Sequence, residues 1–314
     1  MKRPVVLLAA LTAASALALT GCSGASDSPA SPAASGSDGG TIAVVASTNV
    51  YGAIAKTVGG DRVEVTSLIA DESKDPHEFE ATAADQLDIQ DARLLIENGG
   101  GYDPFMASLK DAAGSDAPLI SAVTFSPEWK GSDPSEAVEG FNEHVFYDPQ
   151  TIAAVADEIA AQLGTIDPAD ASTFTENADA FRKDIDAKVT PILDEVATAH
   201  SGEEIFVTEP VPLYLAEAAG LKNATPDAFS EAVEEGQDVP PATLLEALTL
   251  IGSGSVKIVF VNAQAAGAET TQVETKAGEG NVPVIKASEL LPDGDTYVSW
   301  MTDMATQIKT ALGS

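Results

Sequence analysis

The chain has 314 residues, of which 49 are Asp or Glu and 16 are Lys or Arg, giving a formal net charge of −33 at pH 7. Such an excess of negative charge repels nucleic acid and anionic lipid, which argues against both as binding partners. Cys22 is the only cysteine, so no intramolecular disulfide can form.

The N-terminus is typical of a secretory signal peptide, which we predict at residues 1–21. A short basic start is followed by an apolar stretch without charge at residues 5–19. This stretch is shorter than the roughly 20 residues that a membrane-spanning helix needs. Residues 19–22, with sequence LTGC, resemble the lipobox of bacterial lipoproteins. The resemblance implies that Cys22 is lipidated and holds the protein on the outer, extracytoplasmic face of the cell membrane.

A flexible tether is predicted at residues 22–40. After Cys22 the segment contains only Ser, Gly, Ala, Pro and Asp. This composition buries too little apolar surface to offset the entropy lost on ordering. A coil of this length spans roughly 23 Å root-mean-square, so the tether would keep the folded protein near a membrane partner.

Residues 41–148 alternate between strand and helix patterns. Strands are predicted at 41–47, 62–69, 93–97 and 118–123, and helices at 51–58, 82–91 and 103–110. Nearly continuous apolar strands that alternate with helices favour a parallel sheet covered on both faces. We therefore expect an α/β lobe here.

A helical connection at residues 149–203 precedes a second series of elements at residues 204–314. Between Phe174 and Val196 the apolar residues recur at helical spacing, which predicts one long helix kinked at Pro191. The second series has strands at 204–208, 256–261 and 282–286, and helices at 212–219, 241–251, 270–277 and 296–312. The pattern predicts two α/β lobes linked by a helix.

Two of the three histidines lie beside acidic residues near the ends of predicted elements, namely His77 and His144. Neutral imidazole beside carboxylate is the usual way in which proteins hold a transition-metal ion. A solvated turn position for His77 and a capping role for His144 are the alternatives. His200 follows a predicted helix and is interpreted as structural or exposed. The acidic pair Glu234-Glu235 is interpreted as solvated surface.

Four segments together resemble the ligand segments of the zinc/manganese-type solute-binding lipoproteins of ABC transporters. In chain order they are 75–80 (DPHEFE), 144–149 (HVFYDP), 208–209 (TE) with 213–221 (LYLAEAAGL), and 294–297 (GDTY). They cover almost all of the chain beyond the tether. The resemblance implies two pseudo-symmetric α/β lobes with parallel sheets, joined by one long helix, with a divalent ion in the cleft between them.

The resemblance also implies four metal ligands. His77 and His144 would come from the first lobe, and Glu209 and Asp295 from the second. Asp293 is the alternative to Asp295, because either aspartate could form the turn before the final helix. Two imidazoles and two carboxylates can close a four-ligand site, and the carboxylates neutralise a dication.

The expected cargo is Mn²⁺, narrowly favoured over Zn²⁺. Residues 124–143 contain no His-rich loop, which zinc-type members often carry, and Glu209 stands where those members usually have a third His. Oxygen donors favour manganese or iron relative to an all-imidazole site, whereas the Irving–Williams order favours zinc. The implied partners are an ABC permease in the membrane and its cytoplasmic ATPase, and we expect a monomer.

We do not expect an enzyme. Residues 99–101 (GGG) lack the spacing and the lysine of a phosphate loop, and the sequence has no His-Glu-x-x-His or Gly-x-Ser-x-Gly motif. One alternative is a secreted zinc metalloenzyme that uses both histidines and a carboxylate, with water at an open position. Another is a metal-binding adhesin lipoprotein, which would have the same site and a different partner.

Overall fold

The computed structural model of the protein describes residues 40–71, 74, 76–265 and 267–313. The predicted signal peptide, Cys22 and the tether before Gly40 lie outside the described residues. Among the helices of the described segments, none is both long and apolar enough to cross a membrane.

The described strands form two separate four-stranded parallel sheets. They are β1 (Ile42–Thr48), β2 (Val63–Ile69), β3 (Leu94–Glu97), β4 (Leu119–Ser121), β5 (Glu204–Val207), β6 (Lys222–Asn223), β7 (Val256–Asn262) and β8 (Val284–Ala287). The strand orders are β2-β1-β3-β4 and β6-β5-β7-β8, so the second sheet repeats the topology of the first. We call residues 41–148 the first lobe and residues 204–313 the second lobe.

Helices follow most of the strands, as parallel pairing requires a crossover connection. They are α1 (Asn49–Gly59), α2 (Ala83–Asp91), α3 (Phe105–Ala113), α4 (Pro149–Ile166), α5 (Ala171–Lys188), α6 (Thr190–His200), α7 (Leu213–Ala218), α8 (Asp227–Glu234), α9 (Pro241–Gly252), α10 (Ala268–Gly280) and α11 (Tyr297–Ala311). Short 3-10 helices lie at 60–62, 76–78, 122–125 and 145–147.

Each sheet is covered on both faces, because successive strand residues point to opposite sides. In β1, Val44 belongs to the core formed with α1 and α4, whereas its neighbour Val45 packs with residues of α2 and α3. In β5, Ile205 faces the same central core and Phe206 faces a separate cluster beneath α9 and α10. The prediction of an α/β fold with two parallel sheets is confirmed.

One apolar core joins the inner faces of both sheets. Besides strand residues from each lobe it includes residues of α4, α5, α6 and α11, such as Ile159, Phe181, Val196 and Met301. Residues 39–314 accordingly cluster as a single compact unit. A core shared in this way couples the two lobes mechanically, because close-packed interiors transmit displacement.

The helical connection contains α4 and then α5 and α6 in succession. Only Val189 separates α5 from α6, and its backbone is still helical at φ −95° and ψ −57°. Pro191 has no N–H to donate to the carbonyl of Ala187, so the predicted long helix is divided near this point. Two further elements, β6 and α8, were absent from the sequence prediction.

Candidate metal site

His77 lies in the 3-10 helix that follows β2. Its Nε2 is 3.6 Å from Oε2 of Glu289, and its side chain is 24% exposed. The ring of Tyr102 meets the His77 ring edge-on, with centroids 5.0 Å apart. His77 thus stands at the edge of the cleft, with one face supported by an aromatic ring.

His144 is fully buried directly before the 3-10 helix at 145–147. Its Nδ1 lies 2.8 Å from Oδ1 of Asn142. The Asn142 amide nitrogen donates to the carbonyl of Pro210 at 3.0 Å, which orients the amide with its oxygen towards the imidazole. His144 therefore carries its proton on Nδ1, and Nε2 presents a lone pair.

The Nε2 atom of His144 points towards a carboxylate. It lies 4.0 Å from Oε2 of Glu289 and has no hydrogen-bond partner among the described residues. Burial lowers the pKa of His144 well below its ordinary value, because the imidazolium would lose its hydration, and the nearby His77 acts in the same direction. A neutral imidazole with an available lone pair is the form that binds a metal ion.

Glu209 lies just beyond β5 and is 3% exposed. Its Oε2 accepts a hydrogen bond of 2.7 Å from Nδ2 of Asn262, the last residue of β7. The same Nδ2 donates to Oε1 of Glu289, also at 2.7 Å. One amide group thus holds two buried carboxylates side by side.

Glu289 is one residue of this site that the sequence interpretation missed. It follows β8 and is fully buried. The signal that could have found it is an acidic residue placed directly after an apolar parallel strand, where ligands of such sheets commonly bind. Residues 287–291 (ASELL) show this pattern.

Asp295 belongs to neither group of close candidate ligands in the described residues. Its Oδ1 accepts a hydrogen bond of 2.9 Å from Ser299 Oγ within the first turn of α11. Thr296 caps that helix by accepting from the Ser299 N–H. The Asp295 carboxylate therefore bonds to the first turn of α11. Asp293 in the same turn is exposed and likewise belongs to neither group of close candidate ligands in the described residues.

Two groups of candidate ligands occur in the described part of the chain. His77, His144 and Glu289 form one, and His77, Glu143 and Glu234 form the other, with ligand atoms within 4.8 Å of one another in each. Both groups share His77, so together they form one continuous set of donors rather than two separate sites.

The interpretation of Glu234 as solvated surface is wrong. Its side chain, at the end of α8, is only 21% exposed. Burial, and next to it the charge of the Glu143 carboxylate, raise the pKa of Glu234 to about 8. With Glu209 and His77, these two glutamates line a cleft of about 1700 Å³.

Aromatic rings support the two imidazoles. The ring of Tyr102 lies edge-on to both histidines, with its centroid 5.8 Å from that of His144. The ring of Phe146 lies 5.7 Å from that of His144. Since both aromatic side chains are almost completely buried, they exclude water from the inner side of the site.

Residues 44–311 match the family model of ZnuA, described as zinc-uptake complex component A periplasmic. Two repeated parallel-sheet lobes with converging imidazoles and carboxylates define a binding protein of the metal-transport class. The chain belongs to this family of substrate-binding proteins of metal ABC transporters. The family predicted from the four segments is thereby confirmed.

Several known proteins are similar to this chain. The iron-binding protein YfeA of Yersinia pestis is 24% identical over 278 residues, which is 86% of each chain. The manganese-binding lipoprotein MntA of Halalkalibacterium halodurans is 25% identical over 185 residues, 59% of this chain and 60% of that protein. The Mn-bound periplasmic metal-binding protein of Candidatus Liberibacter asiaticus has a TM-score of 0.69 at 21% identity, covering 87% of this chain and all of that one.

Proposed function

We propose that this protein is the extracytoplasmic solute-binding lipoprotein of an ABC importer, which captures a divalent transition-metal ion between its lobes and delivers it to the membrane permease. The observation that carries this proposal is the convergence of His77 and His144 from the first lobe with Glu289 from the second. The names of the relatives, which include manganese-binding and iron-binding proteins, support the same class of cargo.

The proposed ligands are His77, His144 and Glu289, which form one group of close donors, and Glu209, which lies outside that group and is linked to Glu289 through Asn262. We assign to Glu289 the ligand role that the family resemblance implied for Asp295, because the Glu289 carboxylate lies beside both histidines and is linked to Glu209 through Asn262. Two carboxylates compensate the charge of a dication, and the neutral imidazoles supply the nitrogen donors.

We propose Mn²⁺ as the cargo, narrowly ahead of Zn²⁺. The donor set has two oxygen ligands, and two further carboxylates, Glu143 and Glu234, lie next to His77. Oxygen-rich sites favour harder cations such as Mn²⁺ relative to sites built from nitrogen and sulfur.

The membrane attachment and the partners are part of the same proposal. Lipidation of Cys22 would hold the protein on the outer face of the cell membrane, which is supported by the lipobox and by relatives named as lipoproteins. The ABC permease would receive the ion, and its cytoplasmic ATPase would drive transport of the ion across the membrane. The binding protein itself would act as a monomer without catalytic activity.

Competition titration of the full chain in mild detergent tests the proposal. We expect tight uptake of one Mn²⁺ or Zn²⁺ ion per chain, with at least about 100-fold weaker binding for Glu289→Ala and Glu209→Ala, because each loses a direct ligand. Asp295→Ala is the matched control and should bind like the wild type. Full affinity in Glu289→Ala, or turnover of a peptide or ester panel, would contradict the proposal.

A further inference from the structure

The segment that carries Glu289 is fastened to the opposite lobe on its N-terminal side. The hydroxyl of Tyr147, in the first lobe, donates to the carbonyl of Ser288 at 2.9 Å. The same hydroxyl accepts a hydrogen bond of 3.1 Å from the Ser288 N–H. Both polar backbone groups of the residue just before Glu289 are therefore bound by one first-lobe side chain.

On the C-terminal side, Asn49 makes an equivalent attachment. Its Nδ2 donates to the carbonyl of Leu291 at 2.8 Å, and its Oδ1 accepts from the Leu291 N–H at 2.9 Å. Asn49 is the first residue of α1, directly after β1. Its amide thus pairs with the Leu291 backbone much as a neighbouring strand would. We call Asn49 and Tyr147 the interlobe clamp.

The second lobe holds the same segment through Glu289 itself. Oε1 of Gln264 accepts a hydrogen bond of 3.1 Å from the Glu289 N–H, and Asn262 donates to the Glu289 carboxylate. The backbones of Ser288 and Leu291 are consequently bound to the first lobe, while Glu289 and the Ser288 hydroxyl are bound to side chains of the second. A shift of one lobe against the other would change the position of this carboxylate.

From this arrangement we propose that Asn49 and Tyr147 are positioning residues that set the distance between the Glu289 carboxylate and the two histidines. The inference rests on the proposed metal-binding function. Tyr147 lies three residues after His144 in the same short segment, so its bonds to Ser288 connect the backbone of one ligand to that of the other. Neither clamp residue belongs to the groups of candidate metal ligands in the described part of the chain.

The clamp acts on affinity through geometry. Metal–ligand distances in such sites vary by only about 0.2 Å around their ideal values, so a displaced carboxylate binds poorly. Groups that orient metal ligands typically change affinity by about 10–100-fold when they are removed. We therefore expect Asn49→Ala and Tyr147→Phe each to weaken Mn²⁺ binding by about 10–100-fold.

A matched control distinguishes positioning from general stabilisation. The Tyr297 hydroxyl donates to the carbonyl of Phe146 at 2.9 Å, so it also makes a buried hydrogen bond between the lobes. Among the described hydrogen bonds, the Tyr297 hydroxyl makes none to residues 288–291. Tyr297→Phe should lower the melting temperature of the metal-free protein about as much as Tyr147→Phe does, yet change the Mn²⁺ dissociation constant less than about twofold.

The experiment measures the Mn²⁺ dissociation constant and the metal-free melting temperature of the full chain in detergent, for the wild type, Asn49→Ala, Tyr147→Phe and Tyr297→Phe. The two clamp variants are also measured in a Glu289→Gln background. In that background the clamp has no carboxylate to position. The further loss of Mn²⁺ affinity caused by Asn49→Ala or Tyr147→Phe should therefore be less than about twofold. Tyr147→Phe retains the ring packed against Trp300, so it tests the inference even if Asn49→Ala fails to fold.

The outcomes separate the two proposals. Selective weakening by the clamp variants, absent in the Glu289→Gln background, supports positioning. Clamp variants that bind Mn²⁺ as tightly as the wild type, or that are weakened equally with and without Glu289, overturn it. A wild-type chain that binds none of Mn²⁺, Zn²⁺ and Fe²⁺ overturns the proposed function itself.

Discussion

Glu209 and Glu289 occupy equivalent positions in the second sheet, each two residues beyond the end of its strand, and both accept a hydrogen bond from the same Asn262 amide. The two strands, β5 and β8, lie on either side of β7, which ends at Asn262. Since the carboxyl ends of parallel strands meet at one edge, the topology alone brings these three side chains together.

Replacing Asn262 with Leu should damage both stability and metal binding. Leu has a similarly branched side chain but donates no hydrogen bond, so two buried carboxylates lose a donor. We expect the free energy of unfolding of the metal-free protein to fall by about 2–3 kcal/mol. Metal affinity should fall by about 10–100-fold, because the carboxylates lose their orientation.

Urea denaturation and metal titration measure the two effects of Asn262→Leu. Asn223→Ala is a suitable control, since Asn223 is also an asparagine of this sheet and its side chain bonds only to the Thr225 N–H in the described contacts. Wild-type stability together with wild-type affinity in Asn262→Leu would contradict the role assigned to the shared amide.

The contact between Asn142 and His144 gives a second prediction. Asn142→Ala removes the acceptor of the Nδ1 proton, so the neutral imidazole can move its proton to Nε2 and lose the lone pair that faces Glu289. We expect metal affinity to fall by about 10–100-fold. Asn142→Asp retains an acceptor for the Nδ1 proton. It should bind metal about tenfold more tightly than Asn142→Ala, because a carboxylate increases the basicity of the imidazole.

Isothermal titration with Mn²⁺ and Zn²⁺ measures this series, and NMR of the imidazole nitrogens reports the tautomer of His144 directly. Equal affinities for Asn142→Ala and Asn142→Asp would show that the acceptor at this position does not set the tautomer.

Most of the fold could be predicted from local sequence patterns. The apolar, β-branched run at 41–47 corresponds to β1 within one residue, and the apolar face at 241–251 corresponds to α9. Two elements escaped prediction for physical reasons. The strand β6 has only two residues, too few for any periodicity, and α8 buries only Phe229.

The metal site was harder to predict because tertiary packing determines which acidic side chains lie close to the histidines. Glu289 and Asp295 are both acidic residues between β8 and α11, and their local sequence does not separate them. They differ in their contacts with residues that are distant in sequence. Asn262 bonds to Glu289 across a sequence separation of 27 residues, and Tyr147 and Asn49 bond to the same segment across separations of 141 and 242 residues. His77, His144 and Glu209, by contrast, fall in segments that the family resemblance marks.

A third prediction concerns Glu97, which is 2% exposed at the end of β3. Its pKa is raised to about 8, first by burial and then by the charge of Asp103, against a smaller lowering by the hydrogen bond from Ser121. The folded protein thus retains a proton that the unfolded chain releases near pH 4.5. The contribution of Glu97 to the free energy of unfolding is therefore fully present below about pH 4.5 and is lost as the pH rises to about 8.

Glu97→Gln should remove this contribution. Between pH 5 and pH 8 we expect the metal-free wild type to lose about 3 kcal/mol more unfolding free energy than Glu97→Gln does. Urea denaturation in the presence of a chelator at four pH values in this range measures the slope. Parallel stability curves for the two proteins would show that Glu97 does not titrate in this window.

The fourth prediction tests the carboxylate of Glu234 beside His77. Since its pKa is raised to about 8, this group is neutral at pH 6 and mostly charged at pH 9. Gln has nearly the same shape and is neutral at both values. Wild type and Glu234→Gln should therefore have equal association rate constants for Zn²⁺ at pH 6. At pH 9 the association rate constant of the wild type should be on the order of tenfold higher, because its added negative charge attracts the cation.

Glu235→Gln is the control for this measurement. It makes the same charge change one residue later, but on an exposed side chain where solvent and salt screen the interaction. Stopped-flow association at both pH values should show a pH-dependent deficit for Glu234→Gln and none for Glu235→Gln. An equal deficit in both variants would mean that general surface charge, rather than the buried carboxylate next to His77, draws the ion into the cleft.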